Sequence, residues 1–341
     1  MVGQIIPWNF PLLMLAMKIA PALATGCTIV MKPSEITPLS ALLMSKFIKE
    51  AGYPDGVFNL VNGYGSIVGQ AIAEHHGIEK VAFTGSAAVG RKLMEAAAKT
   101  NLKKVSLELG GKSPNIIFED ADIDQAVEWA AFGIFWNQGQ VCCAGSRIFV
   151  HANVYDEFLH KFTEKAKQLR VGDPFDPDSH EGPQISEAQI RRVLGYINSG
   201  KQDGAHVHYG GYRIGNEGYF ISPTIFTNVS PDMKIVREEI FGPVGVLIKF
   251  EDDEDVIKQA NDSVYGLAAA VFSRDITRAL ETAHKLKAGT AWVNCTNILS
   301  ASAPFGGYKQ SGIGRELGEY GLENYTAVKA VHVNLNQSMK Y

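Results

Sequence analysis

Two adjacent cysteines mark the part of this chain best equipped for covalent chemistry. They lie in Asn137-Gln138-Gly139-Gln140-Val141-Cys142-Cys143-Ala144-Gly145-Ser146-Arg147. Glycines flank the pair, so backbone can approach a ligand closely there. A thiolate at this point would attack an electrophilic carbon, and the resulting thioester would pass an acyl group to water. An unperturbed thiol has a pKa of about 8.5, so such a site must lower that value or supply a base. A lone cysteine is more often an inert buried residue, so the reading needs a second group. Glu108, in Glu108-Leu109-Gly110-Gly111-Lys112, offers one. A carboxylate at a strand end activates water once partial burial raises its pKa. Taken alone, the plainer reading of Glu108 is a solvated or ion-paired residue.

Two glycine-rich runs could handle phosphate. Phe83-Thr84-Gly85-Ser86-Ala87-Ala88-Val89-Gly90 reads as a strand, a tight turn and a helix start. The free N–H groups and dipole of a helix N-terminus bind phosphate. Gly63-Tyr64-Gly65-Ser66-Ile67-Val68-Gly69 has the form G-x-G-x-x-x-G, one residue longer than the usual dinucleotide fingerprint. By itself it fits a plain turn equally well.

The elements that must position these groups alternate regularly. Strands are expected over 27–31, 57–61, 81–83 and 105–107, with helices over 39–51, 67–74 and 89–98. Thr37 is the expected cap of the first of these helices, with Leu39, Leu42, Leu43, Phe47 and Ala51 on one face. This rhythm implies a parallel sheet covered by helices. A second α/β segment follows Gly110-Gly111, with strands over 115–118, 147–151, 244–250, 268–272 and 290–294. Its helices are expected over 122–136, 155–169, 253–262 and 275–287. The Gly/Pro/Asp-rich stretch 172–183 reads as a surface connection. The apolar first 24 residues read as a buried helix, with Met14 and Met17 in the core. No basic residue precedes Lys18, and Pro7, Asn9, Pro11 and Lys18 interrupt the run, which argues against a secretory leader.

Taken in order, the motifs resemble the aldehyde dehydrogenase superfamily, in its NAD(P)-dependent hydrolytic class. The cysteine loop and the Glu108 motif carry the resemblance together with Pro7-Trp8-Asn9-Phe10-Pro11, Lys32-Pro33-Ser34-Glu35 and Glu238-Glu239-Ile240-Phe241-Gly242-Pro243. The C-terminal Pro304-Phe305-Gly306-Gly307-Tyr308-Lys309-Gln310-Ser311-Gly312 and Gly314-Arg315-Glu316 complete it, so it covers essentially the whole chain. The resemblance implies Cys142 as nucleophile, Glu108 as the base for thioester hydrolysis and Asn9 as an oxyanion donor. It assigns Ile6, Pro7, Trp8, Lys32, Ser34, Glu35, Gly65, Gly69, Ser86, Val89, Glu239 and Phe241 to the cofactor. Lys32 and Glu35 would reach the adenosine ribose, and the acidic partner favours NAD, with NADP still tolerated by Lys32. Trp136 and Phe305 are candidate walls of the substrate tunnel, and Glu316 a candidate proton-relay carboxylate. Alternatives within the resemblance are transfer of the acyl group to CoA and a non-catalytic member with a structural or binding role.

The implied fold is α/β, with two Rossmann-like domains on parallel sheets and a C-terminal oligomerisation strand. The implied boundaries are 1–110 for the cofactor domain, 111–310 for the catalytic domain and 311–341 for a return segment and tail. Val331, Val333 and Leu335 alternate in that tail, and the resemblance implies a homodimer or homotetramer. Family members usually carry roughly a further domain's worth of chain before Pro7-Trp8-Asn9. The cofactor domain is therefore expected to be partial, with exposed apolar faces and an unpaired edge.

Composition agrees with an enzyme of small molecules. Hydrophobic residues make up 46% and charged residues 20%, with a formal net charge of −4 and no basic run, which argues against nucleic acid as partner. The apolar run 12–17 is too short to span a bilayer, so no membrane is expected. Four cysteines and nine histidines show no zinc spacing, so no metal site is expected. Free thiols fit a reducing, cytoplasmic setting.

Overall fold

The computed structural model describes residues 1–339. Its first half builds a six-stranded sheet by alternation of strand and helix. Strand β1 (Val2–Ile5) leads to helix α1 (Pro11–Ala24), then β2 (Ile29–Lys32), α2 (Leu39–Glu50) and β3 (Phe58–Leu60). A short α3 (Gln70–Glu74), β4 (Lys80–Thr84), α4 (Ala87–Lys99) and β5 (Lys104–Glu108) follow. Proline at the first position of α1 suits a helix start, because its missing N–H has no intrahelical partner there. Ser86 caps α4 by accepting the Val89 N–H at 3.4 Å.

The second half builds a seven-stranded sheet. Strand β6 (Pro114–Ile117), α5 (Ile123–Phe135), β7 (Arg147–His151) and α6 (Tyr155–Gln168) come first. Helix α7 (Glu187–Gln202), β8 (His206–Tyr209), β9 (Thr224–Thr227), β10 (Val244–Phe250), β11 (Ala268–Phe272) and β12 (Thr290–Val293) complete it in the order β12-β11-β6-β7-β10-β9-β8. All neighbours are parallel except β8. The chain then returns to the first sheet as β13 (Gly312–Ile313), antiparallel to β5, giving the order β13-β5-β4-β1-β2-β3. Gly312 lies opposite Glu108 in that register. The main core spans both halves, from Met14 and Leu15 of α1 to Phe135, Phe158 and Phe162.

Most expected elements stand within a residue or two of their places, and four points differ. Strand β1 occupies the centre of its sheet, where the apolar pattern of the first 24 residues predicts helix; its four residues are all buried, Gln4 included, so no alternation marks it. Helix α2 is preceded by Pro38 without a side-chain cap, and the Thr37 hydroxyl is buried without a partner. The α2 face expected to be buried is the outer one: Leu39 is 77% and Leu43 54% exposed, while Ala41 and Ile48 pack inward. Both faces of α2 are apolar, so spacing alone could not choose between them. The tail also departs from expectation, since residues 326–339 form no strand and Val331, Val333 and Leu335 are exposed. Among the described residues no helix is long and apolar enough to cross a membrane.

Candidate active site

Three chain segments converge where the two halves meet. Strand β5 ends at Glu108, the Pro7–Phe10 turn enters α1, and the loop after α5 carries Cys142. Asp122 caps α5 through the Gln125 N–H at 3.1 Å, and the helix stops at Phe135. Asn137, Gln138 and Gly139 then take left-handed conformations and redirect the chain toward Cys142. The Gly110-Gly111 pair lets the exit of β5 pass between two functional groups. A Cβ on Gly110 would fall 2.2 Å from the Glu239 carboxylate, and one on Gly111 2.4 Å from the Cys142 carbonyl oxygen.

The Cys142 Sγ donates to Oε1 of Glu108 at 3.3 Å, and Thr84 donates to Oε2 at 3.1 Å. Glu108 is 2% exposed. Burial, reinforced by the nearby Glu316 charge and opposed by Lys18, pushes its carboxyl up to about 7. Behind it, the fully buried Lys18 is ion-paired with Glu316. Contact with Cys143, burial and the Glu108 charge hold the Cys142 thiol well above its usual range. The thiol's own hold on its proton is thus strengthened, and the nearest group able to accept that proton is the Glu108 carboxylate. The Asn9 amide donates to the Gln140 carbonyl at 2.9 Å, and a side-chain amide carries a second N–H.

Cys142 opens into a cleft of about 230 Å³. Pro7, Trp8, Asn9, Ser86, Glu239 and Phe241 line it together with Cys142. Glu239 is half-buried, desolvation of its carboxyl pushes it up to about 7, and Oε1 accepts the Gly111 N–H at 3.1 Å. Phe241 meets Trp8 edge-on, with ring centroids 5.3 Å apart, and holds a left-handed φ of 62°. Lys32 pairs with Glu35 at 2.9 Å at the end of β2, away from the cleft. Gly69 approaches the Lys32 stem, Gly65 and Ser34 flank the same region, and Val89 is exposed on the first turn of α4. Ile6 is buried and donates its N–H to the Lys32 carbonyl at 3.1 Å.

Two tunnel candidates stand apart from the cleft wall. Phe305 is 3% exposed in the main core. Trp136 reaches the cleft through Phe10, with ring centroids 5.0 Å apart. Other lining residues were not singled out in the sequence. Phe10 and Thr84 lie inside the motifs themselves, and Met14, expected in the core, is buried and also borders the cleft. Gln189 and Arg192 come from α7, where no local pattern marks them. Gln189 donates to the Phe241 carbonyl at 2.6 Å, and Arg192 to the Glu239 carbonyl at 2.7 Å. Lys18 had no motif to announce it.

A cysteine, a buried carboxylate and a side-chain amide thus meet at the junction of two Rossmann-like halves. Residues 1–331 match the aldehyde dehydrogenase family. The chain belongs to that family. It is 69% identical over 338 residues to an aldehyde dehydrogenase of Agaricus bisporus, covering 99% of this chain and 68% of the relative. It is 58% identical over 337 residues to an aldehyde dehydrogenase of Emericella nidulans, with the same coverage of 99% and 68%. The solved NAD+ complex of an aldehyde dehydrogenase from Bacillus cereus superposes with a TM-score of 0.97 at 54% identity, over 98% of this chain and 68% of that one.

Proposed function

We propose that this chain oxidises an aldehyde to a carboxylic acid with NAD, through a thioester on Cys142. The observation that carries the reading is the 3.3 Å contact between Cys142 Sγ and Glu108 Oε1 beside a cleft that also holds Asn9 and Glu239.

The Cys142 sulfur attacks the aldehyde carbon as its proton moves to Glu108, forming the C–S bond and placing negative charge on oxygen. The Asn9 side-chain N–H and the Cys142 backbone N–H receive that oxyanion. Bound NAD would supply the hydride acceptor that conversion of this adduct to a thioester on Cys142 requires. Glu108, once relieved of its proton, takes another from the water that attacks the thioester, and the sulfur leaves as thiolate. Lys18 and Glu316 behind Glu108 offer the proton a way out of the site.

The residues present fit the cofactor. Ser86 and the N-terminus of α4 open onto the cleft, as a pyrophosphate requires. Glu239 has one oxygen engaged by Gly111 and a second available to a ribose hydroxyl of the nicotinamide half, beside Phe241. Lys32 and Glu35 would take the adenosine ribose, with Gly65, Gly69 and Val89 on the adenine side and Ile6, Pro7, Trp8 and Ser34 shaping the floor. On this reading residues 1–110 form the cofactor-binding part and 111–310 the catalytic part.

The test is aldehyde-dependent formation of NADH by the wild-type chain and by Cys142→Ala. The reading expects turnover in the first and none in the second; equal turnover in both would overturn it.

A further inference from the structure

Stretch 172–183 runs over the surface, yet one of its side chains turns inward. Glu181 is 5% exposed. Its Oε2 accepts the Gln138 backbone N–H at 3.0 Å. Its own backbone is fixed as well, since its N–H donates to the Arg170 carbonyl at 3.1 Å and its carbonyl accepts the Gly172 N–H at 2.9 Å. The anchor is therefore rigid although it belongs to a loop.

Gln138 is the middle of three consecutive left-handed residues, Asn137 at φ 51°, Gln138 at φ 56° and Gly139 at φ 68°. Residues other than glycine avoid this region, and such conformations persist where neighbours hold them. The residues just after this stretch supply two further holds. Gln184 donates to the Gln138 carbonyl at 3.2 Å, and the Ile185 N–H donates to Oε1 of Gln140 at 2.9 Å. On its inner side the turn meets the reacting groups. Asn137 donates to the Asn9 carbonyl at 3.0 Å, and Gln140 accepts from the Asn9 amide at 2.9 Å. Cys142 follows two residues later.

We propose that Glu181 is a positioning residue for Cys142 and Asn9: from outside the cleft its carboxyl holds the left-handed Asn137–Gly139 turn, and the turn sets where the sulfur and the amide lie. The proposal rests on the reading of Cys142 as nucleophile. Burial pushes the Glu181 carboxyl up to about 8, with the Gln138 N–H opposing. Near neutrality it is therefore mostly uncharged and accepts through a neutral oxygen, which a glutamine amide reproduces.

The experiment measures alkylation of Cys142 by iodoacetamide near neutral pH, with peptide mass spectrometry reporting Cys142 against Cys27 in the same molecule. A displaced sulfur loses the adjacent base that takes its proton as the new bond forms, and this loss outweighs relief from the Glu108 charge, so Glu181→Ala should slow Cys142 alkylation about tenfold while Cys27 is unaffected. Glu181→Gln should stay within about twofold of wild type. Gln138→Gly supplies a residue that takes the left-handed conformation unaided, so adding Glu181→Ala to it should cost no more than about twofold. An unchanged or faster rate in Glu181→Ala would overturn the proposal. So would a Gln variant as slow as the Ala variant, or an Ala penalty undiminished beside Gln138→Gly. Should Glu181→Ala fail to fold alone, the comparison of Gln138→Gly with and without it decides. Because the readout needs no turnover, absence of NADH formation would remove the functional reading and leave this result standing.

Discussion

The Cys142 sulfur lies 3.3 Å from a carboxylate oxygen of Glu108; the Glu108 charge strengthens the thiol's hold on its proton, while burial and Glu316 raise the Glu108 carboxyl against the opposing hydrogen bond from Cys142. On the proposed mechanism the thiol keeps its proton until attack, and Glu108 must be ionised to receive it. Glu108 is raised to about 7, so its base form is lost as pH falls through that value. Turnover should decline on the acid side with an inflection near pH 7 in kcat/KM. In Glu108→Gln that inflection should vanish, kcat should fall by roughly 10²- to 10⁴-fold, and acyl-enzyme should accumulate, as intact-protein mass spectrometry would reveal.

Glu316 acts on Glu108 from behind. Its charge raises the Glu108 pKa, and it neutralises the fully buried Lys18. Glu316→Gln removes the first influence and leaves Lys18 free to stabilise ionised Glu108. The acid limb should then move to lower pH. The uncompensated Lys18 charge should also destabilise the fold by about 3–5 kcal/mol, read as a lower Tm.

Gly110 is tested through Glu239. In Gly110→Ala the new methyl meets the Glu239 carboxylate, the movable end of a side chain, so Glu239 must swing away while the fold survives. NAD affinity measured by fluorescence titration should weaken by about tenfold, the equivalent of roughly 1.4 kcal/mol and the scale of one lost hydrogen bond. The rate of Cys142 alkylation without cofactor should change little.

Glu35 bears on the choice of cofactor. Its carboxylate is held by Lys32 at 2.9 Å and would repel a 2′-phosphate. Glu35→Gln should lower the ratio of kcat/KM for NAD over NADP by about tenfold, mostly through a gain with NADP.

Much of this arrangement was legible in sequence because its parts are local. The cysteine loop, the Gly110-Gly111 exit and the Ser86 helix start each carry their geometry in adjacent residues, and strands such as β7, β10 and β11 stand where apolar runs place them. Groups assembled across the fold were harder to see. Lys18 and Glu316 are a buried pair from opposite ends of the chain, and neither has a partner nearby in sequence. Gln189 and Arg192 enter the cleft because α7 packs beside the Glu239–Phe241 segment, a tertiary fact. Helix α2 shows the limit of periodicity, since two apolar stripes on one helix leave the inward face undetermined. Glu181 looked like one more polar residue in a surface connection, and its inward turn depends on the Gln138 N–H it meets.

The most direct test of the mechanism is to find the acyl group. The wild-type chain and its Glu108→Gln variant would be mixed with an aldehyde and NAD, quenched in acid and mapped by peptide mass spectrometry. The mechanism predicts an acyl mass on the peptide carrying Cys142, stronger in Glu108→Gln. Aldehyde oxidation proceeding with no adduct on that peptide in either protein, or with the adduct on another cysteine, would contradict it.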